Sequence, residues 1–322
     1  MRDLSVPIVE LPSPLREYLA ASHATATRRA YACDARAWVQ WCEVEGREPW
    51  PARSADVAQW IAVGARAGLR PSTLSRRVSA LSTLARMDGH PSPGDSPLVT
   101  EGLRGIRRTH GTAPRRVAAC RVRDLRAMVA KLGESPRDVR DRALILVGFA
   151  GAFRRSELGD LRLGDIDQVD EGLDVTVRRG KTDQEGAGRT VAVPYGSRLA
   201  TCPVRAWVRW RSVLEVLCAV PPGMDLPAFP VLRIAQGRTV LDGPMSGRGV
   251  GARVVALAHR AGLPGRWGGH SLRRGLATEA SRAGVPDRVI QATTGHKSRA
   301  SLDPYIEPFL RWDEVAASRV GL

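Results

Sequence analysis

Long apolar runs are missing from this chain of 322 residues, and so is an apolar leader. The longest apolar stretch, 143–153, has eleven residues and includes two glycines. A helix needs roughly 20 apolar residues to cross a bilayer. The N-terminal sequence MRDLSVPIVELPSP carries acidic residues and prolines where a secretion signal has an apolar core. We therefore expect no membrane association and a cytoplasmic protein.

Cysteine and lysine are also scarce. The five cysteines include no CxxC pair, so we expect reduced thiols, no metal site and no other cofactor. Of the 49 basic residues only three are Lys and 46 are Arg, a bias typical of GC-rich coding. Hydrophobic residues make up 43% of the chain, which excludes disorder as its general state.

What the chain has is a large positive charge. Its 49 Lys and Arg residues outnumber 33 Asp and Glu, which gives a formal net charge of +16 at pH 7. The excess occurs on both sides of residue 117, and the segment 102–123 contains seven arginines and no acidic residue. A polyanion that contacts both halves is the simplest partner, and nucleic acid is the commonest one.

The spacing of apolar residues predicts a helical domain over 12–108, after a tail at 1–11. Steps of four, three and four residues give the first helix one apolar face, made by Tyr31, Ala35, Trp38 and Cys42. Further helices are predicted to begin near Ser54 and Pro71. We expect three tryptophans to lie in the core of this domain rather than to stack on bases, namely Trp38, Trp41 and Trp60.

A basic linker at 109–117 leads into a second domain, 118–322, which is predicted to be mainly α with a small antiparallel β-sheet. Alternating Val and Thr in LDVTVRR (173–179) and RTVAVP (189–194), around a glycine-rich segment, predict a β-hairpin. The amphipathic segment 309–320 is predicted to form a tail helix, which packs either on its own domain or on a neighbouring copy.

Seven polar residues of the second domain have no evident packing role. Each is ordinary alone, since an Arg-x-x-Glu pair is usually a surface ion pair and a His near a helix start is usually a cap. Two pairs nevertheless have the three-residue spacing that places side chains on one helical face. In chain order the seven are Arg154, Glu157, Lys181, His270, Arg273, His296 and Tyr305.

The segments around these residues resemble the tyrosine recombinase, or phage integrase, family. GAFRRSEL is similar to the family's first arginine box and puts the first catalytic arginine at Arg154, while GKTDQ supplies the hairpin lysine, Lys181. GHSLRRG is similar to the His-x-x-Arg box, and TTGHKS to Leu-Gly-His with Thr294 in place of Leu. The nucleophile falls at Tyr305. Upstream, TRRAYACDARAWVQWC and LRPSTLSRRVSALSTL resemble the family's SAM-like core-binding domain.

The resemblance implies a site-specific enzyme that cleaves and rejoins DNA through a covalent 3′-phosphotyrosine. Arg154 and Arg273 would hold the scissile phosphate, because guanidinium forks match its non-bridging oxygens. Tyr305 would attack as the nucleophile. A phenol with a pKa near 10 needs a proton acceptor, and His270 is the natural one.

The other residues have supporting roles in the same scheme. Lys181 would protonate the leaving 5′-oxygen, His296 would donate a hydrogen bond to the phosphate, and Glu157 would orient its partner. The phosphotyrosine keeps the energy of the phosphodiester bond, so rejoining needs neither ATP nor a metal ion.

The family's architecture implies a two-domain clamp on double-stranded DNA. It further implies a homotetramer on two DNA sites, a monomer or weak dimer off DNA, strand exchange through a Holliday junction, and a nucleoid-associated protein of a prokaryote or phage. We predict DNA contacts from the helix near Pro71 and from flanking arginines. The predicted contacts are Arg28, Arg29, Thr73, Arg76, Arg77, Arg107 and Arg108.

The sequence leaves two alternatives open. A type IB topoisomerase-like relaxing enzyme shares the active residues but acts as a monomer without strand exchange. A catalytically silent DNA-binding regulator shares the charge but forms no covalent DNA adduct. The formation of an adduct, and whether it forms at one recurrent sequence, discriminates the three functions.

Overall fold

The computed structural model describes residues 25–113, 116–178, 188–218, 225–235, 238–296, 298–299 and 302–303. The chain divides into two compact units, Met1–Arg115 and Arg116–Leu322. The described residues are mostly helical, as the sequence predicted, and the second unit contains two small antiparallel sheets, of which the sequence predicted one. No helix among them is long and apolar enough to cross a membrane. Lys181, Tyr305 and the predicted tail helix 309–320 lie outside the described residues.

Four helices are described in the first unit. Two of them begin with proline, which suits the first helical turn because its backbone N–H groups have no partner within the helix. The helices are α1 (Thr25–Val44), α2 (Ser54–Arg66), α3 (Pro71–Met87) and α4 (Pro97–His110).

Tryptophans form the centre of this unit's core. The ring centroids of Trp38 and Trp41 lie 5.4 Å apart in a stacked pair, and Trp60 meets Trp38 edge-on at 5.2 Å. Trp38 and Trp60 are buried and Trp41 is half-buried. The prediction that these three residues belong to the core is therefore confirmed.

The second unit is built around one buried helix, α6 (Pro136–Ala150). Ser135 caps its N-terminus by accepting a hydrogen bond from the Asp138 backbone N–H at 3.2 Å. The described helices of this unit are α5 (Val122–Ala130), α6 (Pro136–Ala150), α7 (Arg155–Asp160), α8 (Pro203–Cys218), α9 (Gly247–Arg260), α10 (His270–Arg282) and α11 (Asp287–Thr294).

The predicted hairpin forms two strands of a three-stranded antiparallel sheet with the order β1-β2-β3. A separate two-stranded sheet, formed by β4 (Pro230–Ala235) and β5 (Arg238–Pro244), was not predicted. Its strands lack a face that is buried throughout. Leu232 and Ile234 lie on the same face of β4, but Leu232 is buried whereas Ile234 is 65% exposed. The strands are β1 (Ile166–Val169), β2 (Gly172–Val177), β3 (Arg189–Pro194), β4 (Pro230–Ala235) and β5 (Arg238–Pro244).

Candidate active site

The first arginine box occupies the turn between α6 and α7. Ala152 in this turn adopts a φ of 49°, in the left-handed region that a residue with a Cβ atom rarely enters. The next residue, Phe153, is buried in the core. Arg154 then forms the N-cap position of α7. The box is therefore held against the core at a defined turn rather than on an open loop.

Glu157 binds Arg154 in two ways. One carboxylate oxygen, Oε2, accepts the Arg154 backbone N–H at 2.8 Å, and Oε1 accepts the Arg154 guanidinium at 2.5 Å. Glu157 is 3% exposed. Burial raises its pKa, but the hydrogen bonds from Arg154 and the charges of Arg154 and Arg189 outweigh that effect and hold the pKa below its ordinary value. The carboxylate is ionised and fixes the guanidinium.

Arg273 and His270 lie one turn apart at the start of α10, which begins at His270 as the sequence predicted. Arg273 is 2% exposed, and one of its guanidinium nitrogens donates to the Ala152 carbonyl at 3.0 Å. Arg273 is therefore hydrogen-bonded to the turn that precedes Arg154. The His270 side chain lies on the exposed side of the same helix start.

His296 follows the C-terminus of α11. Gly295 ends this helix in the left-handed conformation, with φ 66° and ψ 37°, a form that glycine adopts without strain. The turn places His296 Nε2 at 3.0 Å from the second guanidinium nitrogen of Arg273. The other ring nitrogen, Nδ1, lies 2.8 Å from the hydroxyl of Thr294.

The surroundings of His296 keep its imidazole neutral at pH 7. Burial and then the positive charges of Arg273, Arg154 and Arg189 lower its pKa from 6.5 to about 4. The same charges that depress this pKa form a cationic site suited to a phosphate. An anion bound there would lower the cost of protonating the ring.

Arg189 is a residue of this site that the sequence reasoning missed. It begins β3 and follows Lys181 by eight residues in the sequence. Its guanidinium donates to Glu157 Oε2 at 3.3 Å and to the Thr293 carbonyl at 2.9 Å. Arg189 therefore connects the first arginine box to the helix end that carries His296. The signal in the sequence was a lone arginine at the start of the second hairpin strand.

The structure thus brings four predicted residues into one cluster and places His270 on the same helix as one of them. The four are Arg154, Glu157, Arg273 and His296. Lys181 and Tyr305 lie outside the described residues, so their place in the site stays a prediction.

The predicted DNA contacts in the first unit fall into two groups. Arg28, Arg29, Arg107 and Arg108 are exposed. Thr73, Arg76 and Arg77 are half-buried. Arg76 hydrogen-bonds to Asp34, and Arg77 lies over the Trp60 ring at 4.6 Å from its centroid. These two arginines therefore also stabilise the helical domain.

Comparison with known proteins decides the family. Residues 119–309 match the model of the phage integrase family, and residues 15–87 match the phage integrase N-terminal SAM-like domain. The chain belongs to the phage integrase family of tyrosine recombinases. It is therefore a site-specific DNA recombinase, and DNA is its partner.

Curated recombinases match most of the chain. An integrase/recombinase XerD homolog of Selenomonas ruminantium is 33% identical over 298 residues, which cover 90% of this chain and 83% of the relative. The recombinase Cre of Escherichia phage P1 is 26% identical over 270 residues, covering 78% of this chain and 74% of the relative.

Solved structures share the recombinase fold at low sequence identity. A λ integrase dimer bound to a COC′ core site has a TM-score of 0.61 at 18% identity, and covers 94% of this chain and 96% of that one. The XerH recombinase bound to a palindromic difH substrate, in a post-cleavage complex, has a TM-score of 0.57 at 16% identity, and covers 83% of this chain and 70% of that one.

Proposed function

We propose that this recombinase cleaves each DNA strand through a covalent 3′-phosphotyrosine on Tyr305. The phenol oxygen forms a bond to the scissile phosphorus, and the bond from phosphorus to the 5′-oxygen breaks. His270 accepts the phenol proton, and Lys181 gives a proton to the leaving 5′-oxygen. Rejoining reverses these steps with the 5′-hydroxyl of another strand.

The observation that carries this proposal is the pair of held guanidiniums. Arg154 is fixed by the buried Glu157, and Arg273 by the Ala152 carbonyl and His296. The transition state at phosphorus carries more negative charge than the phosphodiester. Positive groups that are already oriented stabilise that charge without reorganisation, which is the largest contribution in many such sites. The two arginines supply this charge, so the proposed reaction uses no metal ion.

His296 acts on the phosphate in a charged form. In the DNA-free site its Nε2 faces Arg273, which is a donor only, so this nitrogen is an acceptor there. A phosphate in the site compensates the surrounding positive charge and raises the pKa of the imidazole. The ring then takes a proton on Nε2 and donates it in a hydrogen bond to a phosphate oxygen.

Strand exchange follows from the covalent intermediate. The phosphotyrosine retains the energy of the phosphodiester bond, so joining to a new 5′-hydroxyl needs no ATP. Four copies on two DNA sites exchange one pair of strands, form a Holliday junction and then exchange the second pair.

Covalent trapping tests this function. The full-length protein is incubated with sheared genomic DNA of its host, denatured in SDS, and the protein-linked ends are sequenced. We expect adducts at one recurrent sequence with the wild type and with the control Tyr195→Phe, which removes an exposed phenol of the same domain. We expect no adduct with Tyr305→Phe.

The other outcomes separate the competing functions. Adducts without a consensus sequence would favour a relaxing topoisomerase. Specific binding without any adduct would contradict the proposed chemistry and favour a regulator.

A further inference from the structure

The hydroxyl of Thr294 contacts the imidazole ring of His296. The residue ends α11 and is fully buried. Its Oγ1 lies 2.6 Å from the Ile290 carbonyl and 2.8 Å from His296 Nδ1. An aliphatic side chain at this position would have no group that contacts the ring by a hydrogen bond.

The direction of each hydrogen bond around Thr294 follows from its partners. A carbonyl only accepts, so the Thr294 hydroxyl donates its one proton to Ile290. The hydroxyl oxygen then faces Nδ1 with a lone pair. Nδ1 must therefore carry a proton and donate it to Thr294.

The contact on the opposite side of the ring supports the same position of the proton. A guanidinium has no acceptor, so Arg273 donates to Nε2, which must carry a lone pair. A neutral imidazole holds one proton, and both contacts place that proton on Nδ1. The two contacts therefore agree on a single tautomer of His296.

We propose that Thr294 is a positioning residue that fixes the tautomer and orientation of His296, so that Nε2 faces Arg273 and the phosphate position. This inference rests on the role of His296 in the proposed reaction. The hydroxyl keeps the ring in place when Nε2 takes a proton, because its bond to Nδ1 is the same in the neutral and the charged ring.

The chain offers a matched control in the preceding residue. The Thr293 hydroxyl makes the same kind of bond, to the Val289 carbonyl at 3.1 Å, and it is exposed. Thr293→Val therefore removes an equivalent hydroxyl from the same helical turn without touching His296. Thr294→Val removes the hydroxyl on Nδ1 and keeps the shape of the side chain, whereas Thr294→Ser keeps the hydroxyl.

Nitrogen NMR on the full-length, DNA-free protein with labelled histidine tests the tautomer without any cleavage. We expect His296 to be protonated on Nδ1 and unprotonated on Nε2 in the wild type, in Thr294→Ser and in Thr293→Val. In Thr294→Val the ring loses the contact that holds it against Arg273, so we expect it to turn away from that guanidinium and the proton to move at least partly to Nε2. A wild-type ring protonated on Nε2, or an unchanged tautomer in Thr294→Val, would overturn the proposal.

Single-turnover adduct formation on the trapped DNA sequence tests the consequence. The loss of one hydrogen bond at a reacting centre predicts about tenfold slower adduct formation by Thr294→Val, with the wild-type rate largely restored in Thr294→Ser. A normal rate in Thr294→Val would overturn the functional role even if the tautomer changes. If the wild type forms no adduct, the proposed reaction fails, while the NMR result still decides the tautomer.

Discussion

The carboxylate of Glu157 holds Arg154 through both its backbone and its side chain, at 2.8 Å and 2.5 Å. The same carboxylate also pairs with Arg189. One buried anion thus stabilises two half-buried cations. Among the described residues, the fold therefore holds the guanidiniums of Arg154 and Arg189 in place in the absence of DNA.

Replacing Glu157 by Gln should destabilise the protein, because it leaves two half-buried guanidiniums without a counter-charge. We expect the free energy of unfolding to fall by about 3 kcal/mol. Glu215→Gln is the control, since it breaks an exposed pair with Arg211 and should cost less than about 1 kcal/mol. Urea denaturation measures both. Equal effects of the two substitutions would contradict the role of Glu157 as the buried anchor.

Removing Arg189 should weaken the link between the hairpin and the helix end at His296. Arg189→Gln removes the positive charge that pairs with Glu157 and the hydrogen bond to the Thr293 carbonyl. We expect adduct formation to slow by about 10- to 100-fold, by analogy with the loss of an outer-shell residue that orients an active group. Arg233→Gln removes an exposed arginine of the other sheet and should leave the rate near that of the wild type. Similar rates for both variants would show that Arg189 is not needed for the site.

The contacts of Arg189 with Glu157 and Thr293 could not be predicted from the local sequence. The contact of Arg154 with Glu157 was predictable because a three-residue spacing at a helix start brings the two side chains together. Arg189 meets Glu157 and Thr293 across 32 and 104 residues of chain. No periodicity encodes such contacts, since they depend on how the hairpin packs against α7 and α11.

In the helical domain, too, local features were predictable from the sequence and long-range contacts were not. Its helices and tryptophan core follow from apolar spacing, and they were predicted. The pairing of Arg76 with Asp34 spans 42 residues and was not predicted. An arginine that the sequence pattern places on an exposed helix face can therefore also stabilise the fold through an ion pair. The spacing of residues alone does not predict such a pair.

The predicted DNA contacts of the first unit can be tested by the salt dependence of binding. Each phosphate contact that is lost should reduce the slope of log K against log salt by about 1. Arg107→Gln with Arg108→Gln should therefore reduce the slope by about 2 on a random-sequence duplex. Arg211→Gln, in the exposed pair on α8, should not change it. An unchanged slope in the double variant would exclude these two arginines as phosphate contacts.

The imidazole of His296 should titrate at unusually low pH in the DNA-free protein. Its pKa is about 4 in the folded chain, against an ordinary value of 6.5. The unfolded chain binds this proton more readily, so the free energy of unfolding should fall as the pH drops from about 6.5 towards 4. His296→Gln should lose that part of the pH dependence. NMR titration measures the pKa directly, and a value near 6.5 would contradict the cationic surroundings described for the ring.

The most direct measurement locates the covalent bond itself. The trapped adduct is digested with nuclease and trypsin, and the peptides are analysed by mass spectrometry. Trypsin releases the segment 300–311, ASLDPYIEPFLR, in which Tyr305 is the one tyrosine. We predict that this peptide carries a nucleotide remnant on Tyr305. A remnant on any other residue, or a DNA-linked protein whose 300–311 peptide is unmodified, would contradict the proposed nucleophile.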